Sequence, residues 1–133
     1  MKRIILDTNF LMIPFQFKID IFSEFERVCL FNYKLYVFEE TIGELKNIAE
    51  KQRKHKKAAK FALKLIKLKN IDIIKSDNSQ RSVDLIILNK LGQNDAAATQ
   101  DIQLKNELLK KGVSVIILRQ KKYLEFIERK LYK

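Results

Sequence analysis

Only three glycines, one proline, one cysteine and one histidine occur among the 133 residues of this chain, and tryptophan is absent. Each scarcity excludes a chemistry. Gly43, Gly92 and Gly112 are too few and too scattered for a GxxxxGK[ST] phosphate loop or a GxGxxG dinucleotide turn. A lone Cys29 cannot form an intrachain disulfide and points to a reducing, cytoplasmic setting. His55 is the sole histidine and lies inside a basic block, so neither a Ser-His or Cys-His nucleophile nor a multi-histidine metal site is expected. Uncharged apolar runs such as 85–88 and 113–118 fall far below the roughly 20 residues that cross a bilayer. The opening MKRIILDTN has no extended apolar stretch or small-residue cleavage site, and reads as a first strand rather than a signal peptide. No membrane partner is expected.

What is present is apolar and basic. A hydrophobic content of 47% is too high for a disordered chain, and the length suits one domain with a real core. The formal net charge is +11, from 27 Lys and Arg against 16 Asp and Glu, which favours a polyanionic partner. A Lys- and Ile-rich composition inherited from an AT-rich genome, or adaptation to heat, accounts for part of that excess. The distribution is more telling: residues 51–69 carry nine Lys or Arg and no acid.

Strand-like and helix-like patterns alternate along the chain without a linker or repeat. Strands are expected over 2–7, 34–38, 71–74, 95–99 and 113–118. Helices are expected over 20–30 with Asp20 as cap, from Glu39 to about Glu50, over 54–69, over 82–91 ended by Gly92, and over 101–111 ended by Gly112. In the 54–69 helix, Ala58, Phe61, Ala62, Leu65 and Leu68 form the expected apolar side, and Lys57, Lys60, Lys64 and Lys67 a basic stripe. A final short helix is expected over 121–132. This order predicts an α/β fold in three layers, with a mainly parallel five-stranded sheet between helices. Residues 1–120 make the main domain and 121–133 a basic helical extension of it.

The chemistry left open is that of carboxylates. Asp7 ends the first apolar strand, and Asp101 follows the Ala-rich one; Glu44 lies on the helix after the second strand, and Asp84 in the first turn of the helix after the third. In a parallel α/β sheet, strand C-termini and the helix N-termini that follow face one rim, so these acids are expected to converge there. Clustered carboxylates repel, and a hard divalent cation, Mg²⁺ or Mn²⁺, relieves them. Taken singly, Glu44 reads as surface acid, Asp84 as a helix-dipole residue and Asp101 as an N-cap. Asp7 resists that reading, because a carboxylate closing a buried strand is costly without a role. Asp95 is expected at the opposite end of the sheet, as a turn residue, and Glu40 stands one turn from Glu44.

In order and spacing, Leu6-Asp7-Thr8-Asn9, Glu44-Leu45, Asp84 before Ile86-Ile87-Leu88, Ala98-Thr99-Gln100-Asp101 and Gly112-Val113-Ser114-Val115-Ile116 resemble the PIN-domain nucleases. The likeness spans residues 2–118 and is similar to archaeal single-domain members of the rRNA-processing and toxin types. It implies metal-dependent endonucleolytic hydrolysis of RNA, with Asp7, Glu44, Asp84 and Asp101 as Mg²⁺ or Mn²⁺ ligands and Thr8, Asn9 and Thr99 in support. It also implies RNA as partner, contacted by Lys57, Lys60, Lys64 and Lys67, with an antitoxin or ribosome-assembly protein, or a second copy of the chain, as further partners. Phe15, Phe17 and Phe22 offer an interface for these, although core packing suits most of them better. Gln100 stands where many relatives have Asn, and no second acid follows Asp84, which bears on auxiliary coordination. Two rivals differ in class: a noncatalytic RNA-binding module, disfavoured because all four acids are retained, and a small phosphotransfer domain, disfavoured because Asn9 occupies the place where that chemistry wants an acid.

Overall fold

A computed structural model describes residues 1–75 and 82–128. The chain runs β1 (Lys2–Leu6), a 3₁₀ turn (Phe10–Met12), α1 (Ile13–Phe17), α2 (Ile21–Val28), β2 (Tyr33–Phe38), α3 (Glu39–Lys51), α4 (Lys56–Leu68), β3 (Asp72–Ile74), α5 (Val83–Lys90), β4 (Asp95–Ala98), α6 (Ile102–Lys110), β5 (Ser114–Arg119) and β6 (Tyr123–Ile127). The strands form one sheet in the order β3-β2-β1-β4-β5-β6. β1 to β5 pair in parallel, as the helical crossovers require.

The sheet is sandwiched because its central strands are apolar on both faces. Ile4, Leu6, Ala96, Ala98 and Ile116 join one core with the 3₁₀ turn and residues of α1 to α4, and Phe10 stacks on Phe25 there at 6.0 Å. Ile5, Ala97, Val115 and Ile117 join the other with α5 and α6. This alternation is the period-2 geometry of a strand buried on both sides. The chain builds outward from β1 through β2 to β3, then returns to place β4 on the other side of β1. The crevice of an open α/β sheet therefore falls at the C-terminal ends of β1 and β4.

Local signals worked as the sequence implies. Asp20 caps α2 by accepting from Phe22 N and Ser23 N, Ser82 caps α5, and Gly112 takes a left-handed φ of 86° just beyond α6. Two expectations need correction. On α4 the buried residues are Ala58, Ala59, Ala62 and Ile66, whereas Phe61 and Leu68 are 39% and 74% exposed. The helix is rotated toward its smaller residues because α4 lies against its neighbours through alanines, and close approach favours small side chains.

The second correction concerns the C-terminal segment. Within the helix expected over 121–132, residues 123–127 instead form β6, antiparallel to β5, so the sheet has a sixth strand; residues 129–133 lie outside the described region. Gln120 and Lys121 both adopt positive φ, 53° and 55°, and Lys122 N donates to Arg119 O at 2.9 Å, a tight turn with two left-handed residues at its centre, as in the primed hairpin turns. Such turns favour Asn-Gly, and Gln-Lys carries no such signal. The outer edge of β6 is guarded by α2: Leu124 N donates to Glu24 Oε1 and Arg27 donates to Leu124 O, each at 2.8 Å. Among the described residues no helix is long and apolar enough to cross a membrane.

Candidate active site

Asp7 follows the last residue of β1, and its backbone N–H still pairs with Ala98 O at 2.9 Å, so the carboxylate is set by the sheet itself. It is buried, with only 4% of its surface exposed. One oxygen, Oδ1, accepts Thr8 N–H at 2.8 Å; the other, Oδ2, accepts the Thr99 hydroxyl at 2.9 Å. Thr99 Oγ1 in turn accepts Asp101 N–H at 3.0 Å, and Thr8 Oγ1 donates to Glu44 Oε1 at 2.5 Å. The threonines are thus the joints of a hydrogen-bonded chain that runs from the backbone of Asp101 through Asp7 to Glu44. Asp101 N-caps α6, and Leu104 N–H occupies only its Oδ1, at 3.1 Å.

Asp84, in the first turn of α5, joins this group through charge and through a shared cleft with Asp101. Burial pushes the Asp7 carboxyl up to about 6, and the charges of Asp84 and Glu44 push the same way, against the Thr99 and Thr8 hydrogen bonds. Asp84 is raised as well, by burial first and then by the charge of Asp101. The predicted acids therefore come together, from the ends of β1 and β4 and the helices that follow β2 and β3. The described residues do not close into a ready-made cage: no three acidic, histidine or cysteine side chains are grouped tightly enough to grasp an ion as they stand. The donor set nevertheless suits a hard divalent cation. It is all oxygen, and a buried carboxylate with acidic neighbours and, among the described residues, no lysine or arginine bonded to it is short of positive charge.

Asp95 lies elsewhere, at the N-terminal end of β4. It receives Arg3 Nε at 2.9 Å and Nη2 at 3.1 Å, together with Gly92 N–H at 2.9 Å. Phe15, Phe17 and Phe22 are partly buried against the core. Lys57, Lys60, Lys64 and Lys67 are exposed on α4. Sequence reasoning noted Gln100 but not its contact, in which Nε2 donates to Asn9 O at 3.1 Å, and missed a groove beside Asp101 formed by residues far apart in the chain. No spacing rule relates those positions.

Fold and acids together define a class, and comparison with known proteins agrees: a family model described as a PIN like domain matches residues 4–121, and the chain belongs to that family. It is 33% identical over 128 residues to the ribonuclease VapC4 of Methanocaldococcus jannaschii, an alignment covering 94% of this chain and 96% of that protein. Among solved structures it is similar to the PIN domain endonuclease Utp24, with a TM-score of 0.79 at 20% identity over 97% of this chain and 92% of that one. A domain of a functionally unknown protein from Methanocaldococcus jannaschii also matches, with a TM-score of 0.61 at 17% identity, covering 100% of this chain and 98% of that one.

Proposed function

We propose that this chain is an endoribonuclease that hydrolyses RNA phosphodiester bonds with Mg²⁺ or Mn²⁺ held by Asp7, Glu44, Asp84 and Asp101. The observation that carries the reading is the placement of Asp7: a carboxylate buried at the sheet's crevice, lifted to about 6, with acidic neighbours on separate elements. Such an arrangement destabilises the protein by itself and is explained by a cation and an anionic substrate meeting there. The ribonuclease and endonuclease names of the relatives point the same way.

A bound Mg²⁺ or Mn²⁺ supplies a water of lowered pKa and positive charge for the phosphate oxygens. The residues of the chain do the rest. Thr8 and Thr99 fix the orientation of Asp7, and Thr99 couples that orientation to the start of α6, so Asp7 is held before any ligand arrives. The α4 lysines attract the phosphate backbone without regard to sequence.

Asp7→Asn and Asp101→Asn are expected to cut single-stranded RNA in Mn²⁺ more than about 100-fold more slowly than the unaltered protein, beyond what losing even an outer partner of a metal site costs. Both variants should melt cooperatively. Cleavage by Asp7→Asn at the unaltered rate would overturn the assignment.

A further inference from the structure

Acids and lysines leave one large feature unused. Beside the acidic rim lies a groove of about 510 Å³ whose polar wall is made of amides: Asn9, Gln16, Gln52 and Gln100. His55 joins them, its Nδ1 3.4 Å from Gln16 Nε2, and Met12 and Ile48 supply apolar surface. Asp101 borders the same groove, so a nucleotide seated in it would neighbour the phosphate at the rim. Among the described residues no lysine or arginine lines it.

That lining fits a base and not a phosphate. Phosphates are held chiefly by cations, which this lining lacks among the described residues, with backbone amides, hydroxyls and side-chain amides only in support. A side-chain amide instead presents an acceptor and a donor side by side, and that pattern matches the N6 amino group and N7 of adenine. On that same Hoogsteen edge guanine offers O6 and N7, both acceptors, which Arg or Lys reads; the Watson–Crick edges of the other unpaired bases also set a donor beside an acceptor, so it is reading of the Hoogsteen edge that singles out adenine. The apolar residues give a base a surface to replace the stacking it loses when unpaired. Parts of the wall are already fixed, because Gln100 Nε2 is anchored on Asn9 O and Gln16 is held against His55. The groove also meets the start of α4, where Lys56 follows His55 and the lysine stripe begins.

We propose that this groove seats an unpaired adenine of the RNA and sets the sequence preference of the enzyme, a reading that rests on the nuclease assignment above for its catalytic consequence. The substrate class is then single-stranded RNA with an adenine at a fixed offset from the cut.

Binding of fluorescent oligo(A), oligo(U) and oligo(C) hexamers is measured in Ca²⁺, and cleavage of a randomised single-stranded RNA in Mn²⁺ is read by sequencing the new ends. Oligo(A) should bind at least about fivefold more tightly than the others, the low end of what one bidentate amide–base pair discriminates. Purine riboside, which lacks the 6-amino group, should remove the advantage, and so should the double substitution Gln16→Ala/Gln52→Ala. If that variant does not fold, the purine riboside arm reads the same contact. Equal binding of the hexamers, or a preference that survives both perturbations, overturns the adenine site. A protein that cuts RNA without adenine at any fixed offset overturns it too. Selective oligo(A) binding with no cleavage in Mn²⁺ would uphold the base site and overturn the nuclease reading.

Discussion

Replacing Asp7 with Asn should stabilise the metal-free protein at neutral pH and lose that advantage on acidification. The folded carboxyl is raised from 3.8 to about 6, by burial first and by the charges of Asp84 and Glu44 after it. Because the folded state holds this proton to a higher pH than the unfolded chain, the group's favourable contribution is full below about 3.8 and is lost as pH rises through about 6. At about 1.4 kcal/mol per tenfold change in proton affinity, the ionised carboxylate costs the fold about 3 kcal/mol at pH 8. The asparagine keeps an oxygen for Thr8 N–H but turns an NH₂ toward Thr99, whose hydroxyl proton must then rotate away, a loss of about 1 kcal/mol. The variant should therefore be more stable by about 2 kcal/mol at pH 8 and slightly less stable near pH 4. Urea unfolding of both proteins in EDTA across that range measures the difference. The slope with pH is diagnostic, since the hydrogen-bond loss shifts the whole curve without tilting it. A difference that stays flat from pH 4 to pH 8 would refute the argument.

Changing Lys57 and Lys60 to Gln should weaken RNA binding across sequences and flatten the log–log salt dependence by about 0.7 per lost phosphate contact, read by titration of single-stranded RNA in Ca²⁺; an unchanged slope assigns these lysines to solubility. Asp95→Asn weakens the paired contact with Arg3, whose guanidinium is 42% exposed and turns to water, and should cost about 1 kcal/mol in urea while leaving RNA cleavage intact, because this acid sits at the opposite end of β4 from the rim. Thr99→Val strips the hydroxyl that joins Asp7 to Asp101 N–H, and a fall in kcat/KM of about 10- to 100-fold in Mn²⁺ is expected; a fall of under twofold would show that the joint is dispensable. Glu24→Ala frees the Leu124 amide at the edge of β6, and hydrogen exchange at that amide should speed up before the rest of the sheet is affected.

The sequence alone determined the elements whose signals are local. Asp20 announces its helix as a cap, Gly112 announces the end of α6, and the apolar runs at 4–6 and 113–118 announce strands buried on both faces. The acids were legible for the same reason: in a parallel sheet, position along a strand already says which rim a residue reaches, so Asp7 and Asp101 could be placed at one end and Asp95 at the other. Only the tertiary structure decided the rest. β6 reads as a helix because Gln120-Lys121 gives no turn signal, and its strand identity comes from pairing with β5 and from the Glu24 and Arg27 side chains that cover its edge. The buried side of α4 was set by how closely its neighbours approach, which favoured Ala59 and Ile66 over Phe61 and Leu68. The hydrogen-bonded joints at Thr8 and Thr99, and the amide groove shared by Asn9, Gln16, Gln52 and Gln100, join residues from opposite ends of the chain. Contacts between residues so distant in sequence obey no periodicity, and they exist only once the strands have stacked the helices over one rim of the sheet.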